Sequence, residues 1–362
     1  MPTEPSPHQG YDALLAIIDG RPGAGAACAR AGLRVLSWLY GAGLEAYLAT
    51  FALGLSRVER LPVEVVGVGN LSMGGTGKTL AVQRLAREYA ARGKRVAILS
   101  RGHRRRVRGD QVVRWRPGEA PPPAEIGDEP ALLATSLPGV PVLLGKNRRR
   151  TGRRALDDFG AEVLLLDDGF QYWRLHKDRE IVLLDALQPA AREHLLPRGI
   201  FREPWRHLRR AHEVWITHAR LAAPERVAAL ARQAARYAPQ ACLRCTEHSP
   251  THLRTPDGGT APLEALHGQR VLALSGLGHP AQYEAMLAAL GAEVVPCRYP
   301  DHHPYTLDDL RAIARRVEPG MRVVTTAKDA VRLLAPPFPT WIIEVAMVDV
   351  PGPDGSGYVM PG

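Results

Sequence analysis

Gly74-Gly75-Thr76-Gly77-Lys78-Thr79 brings together the residue types that hold a phosphate group. Glycines permit the backbone angles at which successive N–H groups converge on an anion. The positive end of a following helix adds to that attraction. A lysine at the position of Lys78 reaches the β- and γ-phosphates, and a hydroxyl at the position of Thr79 ligates Mg²⁺. The segment from Met73 through Gly74, Gly75, Thr76, Gly77, Lys78 and Thr79 therefore reads as a nucleotide site, with ATP and Mg²⁺ as its cofactors. Ser72 stands where the usual G-x-x-x-x-G-K-[ST] pattern has its first glycine. Met73 stands where one class of P-loop ATPases carries a second lysine.

Acids come next, since phosphoryl transfer needs a metal-holding carboxylate and a group that accepts the hydroxyl proton. Asp167-Asp168 closes an apolar run downstream of the loop, where P-loop enzymes keep the acid that holds Mg²⁺. A pair of acids closing a strand before the Gly169 turn is the plainer alternative. Gly127-Asp128-Glu129-Pro130 reads either as a helix start with Asp as cap or as an acidic loop with a role in catalysis. Asp301-His302-His303-Pro304-Tyr305 reads as a loop before a helix opened by Thr306. A carboxylate and an imidazole facing a γ-phosphate could take up a proton. The lone Cys242-Leu-Arg-Cys245 lacks a second ligand pair for zinc, and four cysteines in 362 residues do not make a disulfide framework.

These groups need a scaffold. Val63–Asn70, 95–100, 140–144, 163–168, 180–185 and 214–217 are short apolar, β-branched runs separated by helical patterns. Such alternation predicts an α/β fold with a mostly parallel sheet covered on both faces, as in P-loop NTPases. A second, smaller α/β unit follows, with strands at 270–276, 293–295 and 322–326 and helices at 280–290 and 307–317. The expected division is a disordered start and a membrane-associated helix over 1–60, a P-loop kinase domain over 61–238, a smaller α/β domain over 239–350, and a loose tail over 351–362. The stretch from Val35 to Leu55 is apolar apart from Glu45, flanked by Arg30, Arg34, Arg57 and Arg60. Its central acid and basic ends suit a helix lying in a membrane interface, or a soluble core helix, better than one that spans.

The formal net charge of +10 suits a nucleic acid, an anionic membrane or a phosphorylated substrate. Basic runs such as His103–Arg106 and Lys146–Arg154 carry few interleaved aromatic residues, which argues against a single-strand stacking platform. No short charged leader with a following apolar run opens the chain, so it is expected in the cytosol. A GTP switch is disfavoured because no Asn-Lys-x-Asp is present.

In one order, the motifs resemble a known family. They are Val68–Thr79, Leu99–Gly102, Gly127–Pro130, Asp167–Tyr172, Leu196–Pro204, Ser275–Pro280, Asp301–Tyr305 and Thr325–Ala330. The chain resembles tetraacyldisaccharide 4′-kinase, the lipid A 4′-kinase of Gram-negative bacteria. That resemblance implies transfer of phosphate from MgATP to the 4′-hydroxyl of a tetraacyldisaccharide 1-phosphate, giving lipid IVA. It implies a lipid-linked disaccharide substrate, work at the cytoplasmic face of the inner membrane, and no nucleic-acid or obligate protein partner. By motif, Asp128 and His302 are implied as the proton-accepting pair, working with Lys78. Asp167, Asp168 and Glu203 join Thr79 as the implied Mg²⁺ or phosphate-site group. Leu80, His103 to Arg105 and Ala327 depart from the family's usual residues. The rival readings are a P-loop kinase of a soluble sugar and a nucleic-acid-stimulated ATPase.

Overall fold

A computed structural model describes residues 14–20, 22–102, 109–113, 123–278, 280–333 and 335–352. The proposed disordered start at 1–10, the basic run His103–Arg106, His279 and the tail from 353 lie outside them. One sheet runs through the molecule. Its strands are β1 (Glu64–Asn70), β2 (Val96–Ser100), β3 (Gln111–Val113), β4 (Val142–Leu144), β5 (Val163–Asp167), β6 (Arg179–Asp185), β7 (Glu213–Thr217), β8 (Cys242–Arg254), β9 (Thr260–Ala261), β10 (Arg270–Ser275), β11 (Glu293–Arg298), β12 (Arg322–Thr326) and β13 (Thr340–Val350). The order is β11-β10-β12-β13-β8-β7-β6-β1-β5-β2-β4-β3, with β9 beside β8.

β8, β7, β6, β1, β5, β2 and β4 run parallel, as do β11, β10, β12 and β13. The two parallel sets meet where β13 pairs antiparallel with β8, from Ile342 opposite Arg254 to Val350 opposite Cys245. The ladder shifts register between Glu344 and Val345, so the bridge carries a bulge that adds local twist. The expected break between residues 238 and 239 falls just before the strand that carries the sheet across.

The central parallel strands are buried on both faces, whereas edge strand β11 buries only Cys297. β1 reads Glu-Val-Val-Gly-Val-Gly-Asn with only Glu64 exposed, and every residue of β5 is buried. One apolar layer joins Val66, Val68, Leu85, Ile98 and Leu165; the opposite layer joins Leu71, Phe170, Val182, Val214 and Ile216. A separate pair of layers, around Leu272 with Val323 and around Val271 with Val324, covers the β10–β12 set.

Among the described residues the helices of eight residues or more are α1 (Ala24–Ala52), α2 (Lys78–Ala91), α3 (Asp128–Ser136), α4 (Arg148–Phe159), α5 (Pro224–Tyr237), α6 (Pro280–Ala289) and α7 (Leu307–Ala314). α1 begins well before the apolar stretch seen in the sequence. Ser37 is its one buried side chain, while Val35, Leu36, Trp38, Leu39 and Tyr47 stay exposed. Among the described residues no helix is long and apolar enough to cross a membrane. Glu45, the acid that interrupts the apolar run, binds Arg206 at 2.6 Å and His207 at 3.0 Å. It fastens α1 to the globular body.

Candidate active site

The site gathers at the carboxyl ends of β1, β2 and β5, where open parallel sheets hold ligands. β1 ends at Asn70, the loop follows, and α2 opens at Lys78. Gly77 caps that helix with φ 84°, a left-handed angle that glycine adopts without strain. The loop is wired from inside. Asn70 Nδ2 donates to Thr76 Oγ1 at 3.1 Å, and Lys78 Nζ donates to Asn70 Oδ1 at 3.2 Å. Lys78 Nζ also lies 3.7 Å from Asp168 Oδ1. Met73 is partly exposed and its backbone N–H donates to Ile200 O at 2.8 Å, so that amide is committed to the fold.

Asp167 and Asp168 sit side by side but in different electrostatic states. Asp167 is 3% exposed, accepts from Ser100 Oγ at 3.0 Å, and has its carboxyl pushed up to about 7. Burial is the main cause, followed by the nearby Glu129 and Asp168 carboxylates. Burial acts on Asp168 too, but both Arg202 nitrogens donate to it at 2.8 Å. With Lys78 and Arg148 they hold it well below the ordinary carboxylate range. Asp168 also adopts φ 54°, in the left-handed region that aspartate tolerates better than most residues. A crowded acid pair of this kind relieves its repulsion by binding a cation. Among the described residues no three His, Cys, Asp or Glu side chains cluster as a metal cage.

Glu203 lies apart from this pair. It is fully buried, with Oε2 bound by His207 Nδ1 at 2.8 Å and Arg210 Nη2 at 3.0 Å. Its chain neighbour Arg202 is the residue that reaches Asp168 and Asn70. The motif Arg202-Glu203 thus places an arginine on the acid pair, with the glutamate held behind it.

Asp128 and His302 are 174 residues apart and meet at 2.8 Å, Oδ2 to Nδ1. Asp128 opens α3 after Gly127, whose φ is 95°. His302 sits in the loop after β11 with φ 59°, and its backbone N–H donates to Gly276 O at 3.2 Å. Burial opposes ionisation of Asp128, but His302, Arg332 and Lys328 together hold its carboxyl below the usual value. Asp128 Oδ2 is placed to accept a hydrogen bond from Nδ1–H, while Nε2 lies 3.8 Å from Asp301 Oδ2. His303, the other half of the His-His pair, instead binds Asp309 at 2.9 Å.

Several participants are not visible in the motifs. Arg148 belongs to the basic run at 146–150, yet it is 5% exposed, stacks 5.3 Å over the Tyr172 ring and interacts with Asp167 and Asp168. Arg332 lies 3.7 Å from Asp128 and is anchored by the fully buried Asp329. Beneath the loop, Asp185 Oδ1 binds His218 Nδ1 at 2.8 Å, and His218 Nε2 lies 3.0 Å from His248 Nδ1. A Cβ on Gly77 would come within 2.4 Å of His248 Nε2. No local spacing links these three residues, so only the sheet order could have found them.

The comparisons decide the family. A family model described as tetraacyldisaccharide-1-P 4′-kinase matches residues 29–352. The chain belongs to the tetraacyldisaccharide-1-phosphate 4′-kinase family. A tetraacyldisaccharide 4′-kinase from Anaeromyxobacter dehalogenans (strain 2CP-C) is 46% identical over 322 residues, covering 86% of this chain and 84% of the relative. One from Syntrophus aciditrophicus is 41% identical over 312 residues, covering 83% of each. The fold of this kinase also resembles that of LpxK from Aquifex aeolicus in a crystal structure with ATP. The TM-score is 0.73 and the identity 30%, over 89% of this chain and 95% of that one.

Proposed function

We propose that Asp128 and His302 act as one unit that removes the proton from the 4′-hydroxyl of the acceptor while Lys78 and Arg202 hold the transferring phosphate. The activity itself follows from the family: this chain is an ATP-dependent kinase of tetraacyldisaccharide 1-phosphate in lipid A synthesis. The 2.8 Å bond between Asp128 and His302 is the observation that supports the residue roles. It follows the logic of a base oriented by a carboxylate, in which the imidazole would take the hydroxyl proton at Nε2. Met73 to Thr79 form the nucleotide loop. Thr79, Asp167 and Asp168 would hold Mg²⁺, with Glu203, bound by His207 and Arg210, as the further acid of the group. Mg²⁺ when bound neutralises charge on the phosphates.

The residues from β8 to β13 form a second lobe that carries His302 to the site, and residues 61–238 form the nucleotide-binding lobe. The exposed row Val35, Leu36, Leu39, Leu53 and Leu55 on and after α1 lies on the membrane surface, at the cytoplasmic face of the inner membrane where ATP is present. Arg57 and Arg60 would meet anionic headgroups there.

Asp128→Asn and His302→Gln test the assignment. Each is expected to lower kcat by about 10²–10⁴, the usual contribution of a general base, with ATP affinity unchanged. The double variant should be little worse than either single one, because the pair works as a unit. Wild-type turnover in either folded variant removes the pair from the mechanism.

A further inference from the structure

A cavity of about 240 Å³ lies between α1 and the segment that leads into Arg202. Arg34, His194 and Arg198 line it together with Trp38, Phe201 and Trp205. Its charge is not cancelled locally. Arg198 is only 9% exposed, yet among the described residues no carboxylate pairs with it. Its Nη1 makes two long contacts to carbonyls, Ile18 O at 3.5 Å and Ala191 O at 3.4 Å, and its buried Nε has no partner. Glu193, the acid on the cavity wall, is already bound by Arg226. Burial, then Arg198 and Arg34, push the His194 imidazole below its usual range. A buried guanidinium without a counter-ion is costly, so a chain that keeps one at a cavity wall is arranged to receive an anion.

The position of the cavity limits what that anion is. Arg198 and Arg202 are four residues apart, and four residues of chain reach at most about 14 Å. Arg202 binds Asp168 at the transfer site. The backbone that lines the cationic cavity therefore lies within that reach of the residue that binds the acid at the transfer site. It also opens beside the exposed apolar row of α1, and Trp38 and Trp205 offer apolar surface next to the cations.

We propose that this cavity seats the 1-phosphate at the far end of the acceptor disaccharide, with Arg198 and Arg34 as its partners. Arg guanidinium groups suit a phosphate monoester because they present paired donors in a planar fork. The proposal rests on the acceptor reading above and adds to it a ruler: Arg202 marks the end that receives phosphate and Arg198 the end that already has one.

The test measures kcat/KM in detergent micelles on tetraacyldisaccharide 1-phosphate and on its 1-hydroxyl analogue. Wild type is expected to favour the phosphorylated acceptor by about 10- to 100-fold, the range for hydrogen bonds to charged groups. Arg198→Gln and Arg34→Gln should lose most of that preference while keeping turnover of the 1-hydroxyl analogue, and Arg198→Lys should restore part of it. Arg34 is exposed, so its variant reports even where Arg198→Gln fails to fold. An equal fall on both acceptors overturns the proposal. So does intact discrimination with lost flotation on phosphatidylglycerol vesicles, which would assign the cavity to bilayer lipid. If wild type phosphorylates neither acceptor, the acceptor reading itself fails and the cavity assignment with it.

Discussion

Replacing Asp329 by alanine probes the network that carries His302 and Arg332 to the site. Asp329 is fully buried at the first turn after β12. Its Oδ1 accepts from Gly276 N at 3.0 Å and Tyr305 Oη at 3.3 Å, and also binds Arg332 Nη2. Its Oδ2 accepts from Thr326 Oγ1 at 2.9 Å. The Arg332 side chain is 5% exposed, so removing Asp329 takes away its close carboxylate and leaves only Asp128, 3.7 Å away. Breaking a buried pair in this way costs about 3–5 kcal/mol. Asp329→Asn keeps an oxygen for Gly276 N–H but loses the charge and turns the acceptor facing Thr326 Oγ1 into a donor, at a cost of about 1.5–3 kcal/mol. Urea unfolding followed by circular dichroism should rank wild type, Asp329→Asn and Asp329→Ala in that order. Activity should fall in the same order, because Arg332 also lies beside Asp128. An alanine variant within about 1 kcal/mol of wild type refutes the network as a structural element.

Three further outcomes follow from other parts of the molecule. Burial, with help from His218, pushes the His248 imidazole down to about 3, against about 6.5 in an unfolded chain. Between those values the unfolded state binds a proton that the folded state refuses, so the contribution of His248 to stability rises with pH from about 3 to about 6.5 and levels off above. His248→Gln should flatten that slope in urea midpoints taken at pH 4, 5, 6 and 7. Thr306→Ala breaks the capping box with Asp309 at the start of α7, costs about 1 kcal/mol, and should speed amide exchange over 307–314. Leu39→Glu with Leu55→Glu removes apolar surface that is 65% and 77% exposed. At roughly 1.5–3 kcal/mol for each buried leucine, that pair should weaken vesicle binding at least tenfold in a flotation assay without changing turnover of acceptor in detergent.

The parts of the site that lie close together in the chain were legible. The loop at 74–79 announces itself because glycine, lysine and threonine are needed at fixed local spacing. Asp167-Asp168 shows because it ends a strand made entirely of apolar residues. The pairing of Asp128 with His302 came from family resemblance; spacing offers no clue across 174 residues. β8 and β13 escaped because Cys242–Arg254 carries His248, Pro250 and Thr251, which break the expected apolar alternation, and Pro336 and Pro337 just ahead of β13 read as loop. Arg148 escaped because residue type says nothing about burial. Within Lys146–Arg150 it is the ring of Tyr172, distant in sequence, that draws one arginine inside. The separation into two α/β sets was visible in the alternation of runs, but their union in one sheet needed those two long strands.

The central claim is that this loop passes a phosphate from ATP to a lipid-linked sugar. The most direct measurement follows label from [γ-³²P]ATP onto tetraacyldisaccharide 1-phosphate, wild type beside Lys78→Ala. Label at the 4′ position of the acceptor with wild type, and its near-complete loss with Lys78→Ala in a folded protein, is the predicted result. Hydrolysis of ATP with no label on the acceptor, or transfer that ignores the loss of Lys78, contradicts the account.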